Sequence, residues 1–187
     1  MRGGLTCRAG AVAAGPQDLA AEVAGKFPDL IVNYFDVMLA WYSEIRVGLT
    51  AGAVFKACDD VRDGDVFRFA LNPGHFLNLE EWSVSAFAAG DDTPLGSGML
   101  VRGDIIAVVD GAFCTVNIED GIVLADEALR SEIEALDPGF AERVAARREF
   151  LRDQIGIDFD PSVLPLSNTP LWHTPYVLSP QLALAAS

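Results

Sequence analysis

The chain has 187 residues, 51% of them hydrophobic, which suffices for one domain with a sizeable core and is too apolar for a disordered segment. Its 27 acidic against 13 basic residues give a formal charge of −14, which repels polyphosphate, and no basic stripe with interleaved aromatics offsets it, so no nucleic-acid partner is expected. No apolar run nears the roughly 18–20 residues that a bilayer requires, and Ala-Val-Ala-Ala at 11–14 is too short for a signal-peptide core, so a cytoplasmic protein with no membrane partner is expected.

Residues 1–16 are small and without periodicity and read as a loose end, with a short helix over 17–27 begun at Pro16. From Asn33, read as an N-cap, Phe35, Met38, Leu39, Tyr42 and Ile45 recur every three or four residues and predict an amphipathic helix that stops near Gly48. Trp41 joins these aromatics as core or subunit interface. A second helix is expected from Thr50, whose hydroxyl caps it, to about Val61. The acids Asp59, Asp60, Asp63 and Asp65 lack the glycine and glutamate positions of a calcium loop and read as a solvated helix end.

After Asp63-Gly64 the pattern turns to β. Val66-Phe67-Arg68-Phe69 alternates, and Phe76, Leu77 and Leu79 continue as strand after the Asn72-Pro73-Gly74 turn. A polar loop covers roughly 88–98, and two β-rich runs, 99–109 and 114–125, meet at the tight turn Asp110-Gly111-Ala112-Phe113. Residues 127–154 predict a helix pair broken at Asp137-Pro138-Gly139. Prolines 161, 165, 170, 175 and 180 then preclude long regular elements, leaving a tail that packs along the surface through Trp172, Tyr176 and its leucines. The three cysteines, Cys7, Cys58 and Cys114, are odd in number and have no paired spacing, so they read as reduced thiols.

Counting across the hairpin places chemistry. With Gly111-Ala112 as the loop, Asp110 faces Phe113 and Asp104 lies directly opposite Glu119; with Asp110-Gly111 as the loop, Asp104 opposes Asn117 and Glu119 is its diagonal neighbour. Either register clusters the two carboxylates. One face then carries Asp104, Ile106, Val108, Thr115, Asn117 and Glu119, while the other, with Ile105, Ala107, Val109, Cys114, Val116 and Ile118, should lie under helices. Opposed like charges with Cβ atoms about 4.5–5.5 Å apart destabilise a sheet unless a cation bridges them or one carboxylate stays protonated. His75, presented by the Asn-Pro-Gly turn, is the natural third ligand, and an imidazole with carboxylates suits zinc, manganese, iron or cobalt. His173 in the tail reads as a surface residue or a substitute proton donor. Ser97 and Ser167 have no histidine and acid arranged for a serine nucleophile.

Three ordered segments carry a resemblance: Gly74-His75 with Leu79-Glu80, Ser97-Gly98-Met99 with Asp104 beyond, and Val116-Asn117-Ile118-Glu119-Asp120 before an apolar strand. Together they resemble the pita-bread metallopeptidase family of methionine aminopeptidases, aminopeptidase P, prolidase and creatinase, and most of all its X-prolyl aminopeptidase and creatinase side, over about residues 30–127. The resemblance implies an α+β fold with a curved antiparallel sheet covered by helices on one face. It implies a catalytic unit at 30–156, between a loose segment at 1–29 and a Pro-rich tail at 157–187. It also implies a divalent metal cofactor (Mn, Zn, Co or Fe), a small peptide or small C–N substrate, and a homodimer.

In that family two aspartates, a histidine and two glutamates hold a metal pair that activates water against an amide. By position, His75 takes the histidine's place, Asp104 the first glutamate's and Glu119 the second's. Asp in place of Glu shortens the side chain at 104 by about 1.5 Å. The two aspartates have no counterpart: before residue 66 no alternating strand carries two acids on one face, and Asp18, Glu22, Asp29, Asp36 and Glu44 sit in helical or loop sequence. Trp82 stands where X-prolyl members have a second, proton-moving histidine, and nearby Asn78 does not titrate. The expectation is a metallopeptidase-family chain that is a C-terminal part of a catalytic domain, a variant begun at an internal start, or a catalytically impaired relative acting as a dimerising or binding module.

Overall fold

The computed structural model describes residues 7–77, 85–111 and 115–186. An antiparallel sheet is built from six short or medium strands: β1 (Cys7–Ala9), β2 (Arg68–Phe69), β3 (His75–Phe76), β4 (Leu100–Val108), β5 (Asn117–Leu124) and β6 (Val163–Pro165). The β4–β5 hairpin is its axis. β2 and β3 pair along the outer edge of β4, and β1 and β6 along the outer edge of β5. The helices are α1 (Ala21–Ala24), α2 (Phe27–Glu44), α3 (Ala51–Val61), α4 (Glu127–Leu136) and α5 (Pro138–Phe150), the last running into a π-helical turn at Leu151–Ile155.

The hairpin adopts the first of the two expected registers: Leu100 faces Val123, Asp104 faces Glu119 and Ile106 faces Asn117. Alternation does the rest. Ile105, Ala107, Val109, Val116 and Ile118 are buried beneath the helical layer, where α2 contributes Tyr34, Met38, Trp41 and Tyr42, all fully buried. Trp41 and its aromatic neighbours are thus core.

The helix at 27–44 begins before the expected Asn33. Pro28 sits in its first turn, where a missing N–H costs nothing, and Phe27, Leu30 and Ile31 extend the buried stripe one turn earlier. Asn33 instead ties helix to loop, donating to the Val61 carbonyl and accepting from Asp63 N–H. α3 starts as expected, with Thr50 Oγ1 accepting from Ala53 N–H. The exposed acids at its end pair locally, Asp60 with Lys56 and Asp59 with Arg62. The helix pair breaks at Asp137, whose carboxylate caps α5.

The N-terminal segment, and His173 in the tail, differ from expectation. Residues 7–9 form a strand on β5 within the expected loose end; three residues are too few for a periodic signal, and the sheet edge selects them. The 17–27 helix divides into a 3₁₀ turn at Pro16–Asp18 and the four-residue α1. The tail supplies β6 and laces onto the N-terminal segment, with Ala11 N–H donating to Pro175 O and Val177 N–H to Ala11 O. His173 is neither on the surface nor exposed: it is 1% accessible and its Nε2 lies 2.8 Å from the Ala9 carbonyl, because the tail folds over β1. Leu79, Asn78, Trp82, the turn residues Ala112 and Phe113, and Cys114 lie outside the described residues. Cys58 is a buried free thiol whose burial pushes its pKa up.

Candidate metal centre

The local fold that presents His75 starts at Gly74, whose φ of 110° belongs to the region glycine tolerates. A Cβ there would lie 2.7 Å from the Arg102 carbonyl oxygen and 3.1 Å from Trp41 Nε1. The turn is pinned from both sides: Trp41 Nε1–H donates to Pro73 O at 2.7 Å, and Ser85 Oγ donates to Gly74 O at 2.6 Å. His75 then enters β3 opposite Arg102 of β4.

Backbone bonding fixes how close the carboxylates come. Gly74 N–H donates to the Asp104 carbonyl, so that carbonyl points away from β5. Asp104 and Glu119 therefore form a pair without mutual backbone bonds, the class of antiparallel pair in which opposed side chains stand closer. Burial of Asp104, followed by the charge of Glu119, raises its pKa above the usual carboxylate value; a hydrogen bond from Asn117 and the charges of His75 and Arg102 partly oppose this. Asn117 Nδ2 donates to Asp104 Oδ1 at 3.3 Å, while Asn117 Oδ1 is buried with no protein partner.

The imidazole closes the group. His75 Nε2 is 3.7 Å from Asp104 Oδ2, and Nδ1 lies 3.1 Å from the Phe76 carbonyl, a contact that calls for a proton on Nδ1 and leaves Nε2 as the ligand atom in the neutral ring. One ligand atom from each of His75, Asp104 and Glu119 can be chosen so that all lie within 4.8 Å of one another. Two ligands on one tetrahedral zinc stand about 3.3 Å apart, so the His75–Asp104 edge fits a single ion with small adjustment. This donor set, hard carboxylate with borderline imidazole, matches zinc, manganese, iron or cobalt. A cleft of about 420 Å³ lined by Phe55, Phe69, Leu71 and Asn72 opens onto His75 and Asp104.

Arg102, not singled out from sequence, belongs to the same cluster. It lies two residues before Asp104 on the same face of β4, is 7% exposed, and forms an ion pair with Glu119 through Nη1. Its directly opposed residue is Gly121, which offers no side chain, so the carboxylate it meets across the hairpin is the diagonal one. Period-two counting back from Asp104 would have found it. Asp18, Glu22, Asp29, Asp36 and Glu44, the acids upstream, are in helical segments as expected, and among the described residues no other group of three or more acids, histidines or cysteines gathers within ligand distance. Ser97 Oγ accepts from Asp126 N–H, and Ser167 is buried; neither meets a histidine in the described contacts.

No family model and no curated protein matches the sequence. Among solved structures, the chain is similar to an Xaa-Pro dipeptidase from Bacillus anthracis at 23% identity and a TM-score of 0.47, over 59% of this chain and 30% of that one. It is also similar to a dipeptidase from Mycobacterium ulcerans (27%, TM-score 0.43, 58% and 28%) and to an X-Pro aminopeptidase from Thermotoga maritima (20%, TM-score 0.40, 59% and 30%). The matched stretch thus spans less than a third of the length of each neighbour. These and two further similar structures from Pyrococcus horikoshii are dipeptidases, a prolidase and an X-Pro aminopeptidase, and each match covers a little more than half of this chain.

Proposed function

We propose that His75, Asp104 and Glu119 form a divalent-metal half-site of the metallopeptidase type, directed at the amide of an X-Pro peptide. The observation that carries this reading is the direct opposition of Asp104 and Glu119 in a close pair, with His75 Nε2 3.7 Å from Asp104 Oδ2. When bound, the metal would lower the pKa of a water and polarise the substrate carbonyl. The chain's own contribution is to orient His75 through the Phe76 carbonyl, to hold Asp104 through Asn117, and to shape the cleft beside them. A creatinase-like C–N substrate would use the same groups.

A second reading, a non-catalytic relative acting as a dimerising or binding module, is favoured by one observation: Glu119 is already neutralised by Arg102. Metal analysis of protein purified without chelator tests the site, with about one ion per chain expected; less than about 0.2, unchanged by His75→Ala, would sink it. Metal-dependent release of an amino acid from X-Pro peptides, lost in Glu119→Gln, would decide for hydrolysis. Sedimentation velocity of the same sample tests the homodimer. No described helix is long and apolar enough to cross a membrane.

A further inference from the structure

We propose that the Arg102 guanidinium is the resident cation of the carboxylate pair, so that the site admits at most one divalent ion, held by His75 and Asp104, with Glu119 joining only when Arg102 releases it. This rests on the metal reading above and sets the number of ions and the order in which ligands engage.

Two observations and one general property of the guanidinium carry it. Arg102 is buried between β3 and β5, facing His75 on one side and Gly121 on the other, so its charge lies inside the cluster and not at its rim. A guanidinium does not lose its proton in proteins, so this positive charge is permanent. Paired with Glu119, it leaves the group Asp104, Glu119 and Arg102 with a net charge of about −1 when both acids are ionised, enough to attract one divalent ion and too little to hold two against the guanidinium's repulsion.

The openings agree with the charges. The cleft that leads to the cluster is lined by His75 and Asp104 and not by Glu119, so an entering ion meets His75 and Asp104 before it meets Glu119. Arg102 Nε is buried without a hydrogen-bond partner. The guanidinium is therefore held chiefly by its charge on Glu119, and a competing cation can displace it without breaking a complete set of donor bonds.

The experiment titrates Mn²⁺ and Zn²⁺ into the metal-stripped full chain by calorimetry, and counts ions after dialysis, for the wild type, Arg102→Met and Arg102→Lys. The expected result is at most one ion on the wild type, and in Arg102→Met either binding at least tenfold tighter or a second ion; Arg102→Lys, which keeps the charge, should stay close to the wild type. Two ions on the wild type, or Arg102→Met bound with the same stoichiometry and within twofold of the wild-type affinity, would overturn this inference and leave the three-ligand reading intact. Ions on Arg102→Met with none on the wild type would uphold the resident cation while ending the metal reading for the native chain. Absence of binding in every folded variant would overturn both. Circular dichroism checks folding, and Arg102→Gln replaces the methionine variant if that one does not fold.

Discussion

Ile105 and Ile118, directly opposed in β4 and β5, are bridged by the Tyr34 hydroxyl, which donates to Ile105 O and accepts from Ile118 N–H, each at 2.7 Å. A side chain from α2 thus enters the hairpin ladder one residue from the Asp104–Glu119 pair. Burial holds this phenol protonated, its pKa well above the ordinary value. Helix, hairpin and candidate site are coupled at this one oxygen.

Tyr34→Phe should leave a buried N–H and a buried C=O without their bridge, and so cost about 1–3 kcal/mol unless the ladder closes over the gap. Urea denaturation measures it. An unchanged midpoint would mean that the strands re-pair directly; a lowered midpoint together with changed metal affinity would show that the hydroxyl also sets the spacing of the carboxylates.

The hairpin was legible from sequence because two independent signals agree there: glycine at 111 marks the turn in either register, and period-two alternation assigns the faces; the choice between the two registers came from the structure. Tyr34 escaped notice because helical periodicity marks it only as one more buried position, and nothing local says that its hydroxyl reaches a strand 71 residues away. Arg102 escaped for the opposite reason: a lone arginine in a strand reads as solvent-facing until the glycine across from it is counted. β1 has no local signal at all and exists because the edge of β5 pairs with it.

Asp104→Asn should stabilise the metal-free protein at neutral pH. The folded-state pKa of Asp104 lies above its unfolded value near 3.8, so the native state binds more protons between the two, and stability falls as pH rises through that window. Above the window the ionised carboxylate carries its whole cost, which asparagine removes: about 1 kcal/mol, or a rise of roughly 2–4 °C in Tm. The gap between variant and wild type should shrink as pH falls toward 4, and saturating Mn²⁺ should raise the Tm of the wild type alone. Melting curves across pH, with and without metal, check both.

Gly74→Ala should both destabilise the fold and displace the imidazole. An L-residue at φ 110° carries about 1–3 kcal/mol of backbone strain, and the added Cβ at 2.7 Å from a backbone oxygen forces the turn to move. The Trp41-to-Pro73 bond is the first contact to yield. Loss of stability by chemical denaturation, with a shifted His75 ring resonance, is the expected pair of results. A shifted resonance without lost stability would show that the turn is softer than its two pins suggest.

Arg8→Met should be more damaging than its position in a three-residue strand implies. Arg8 Nη2 lies 2.8 Å from Asp120 Oδ1, its Nε donates to Trp172 O, and Asp120 is 1% exposed. The same carboxylate accepts from the N–H of Leu171, a buried residue held at φ 59°, so one ion pair joins β1, β5 and a strained bend of the tail. Removing the arginine leaves a buried charge uncompensated, at a cost of about 3–5 kcal/mol. The double variant Arg8→Met with Asp120→Asn should regain part of that loss, because the stranded charge is gone, even though Leu171 keeps only a neutral acceptor. Equal destabilisation of the single and double variants in urea would show that Arg8 acts through its bond to Trp172 O and its strand position, and not through its charge on Asp120.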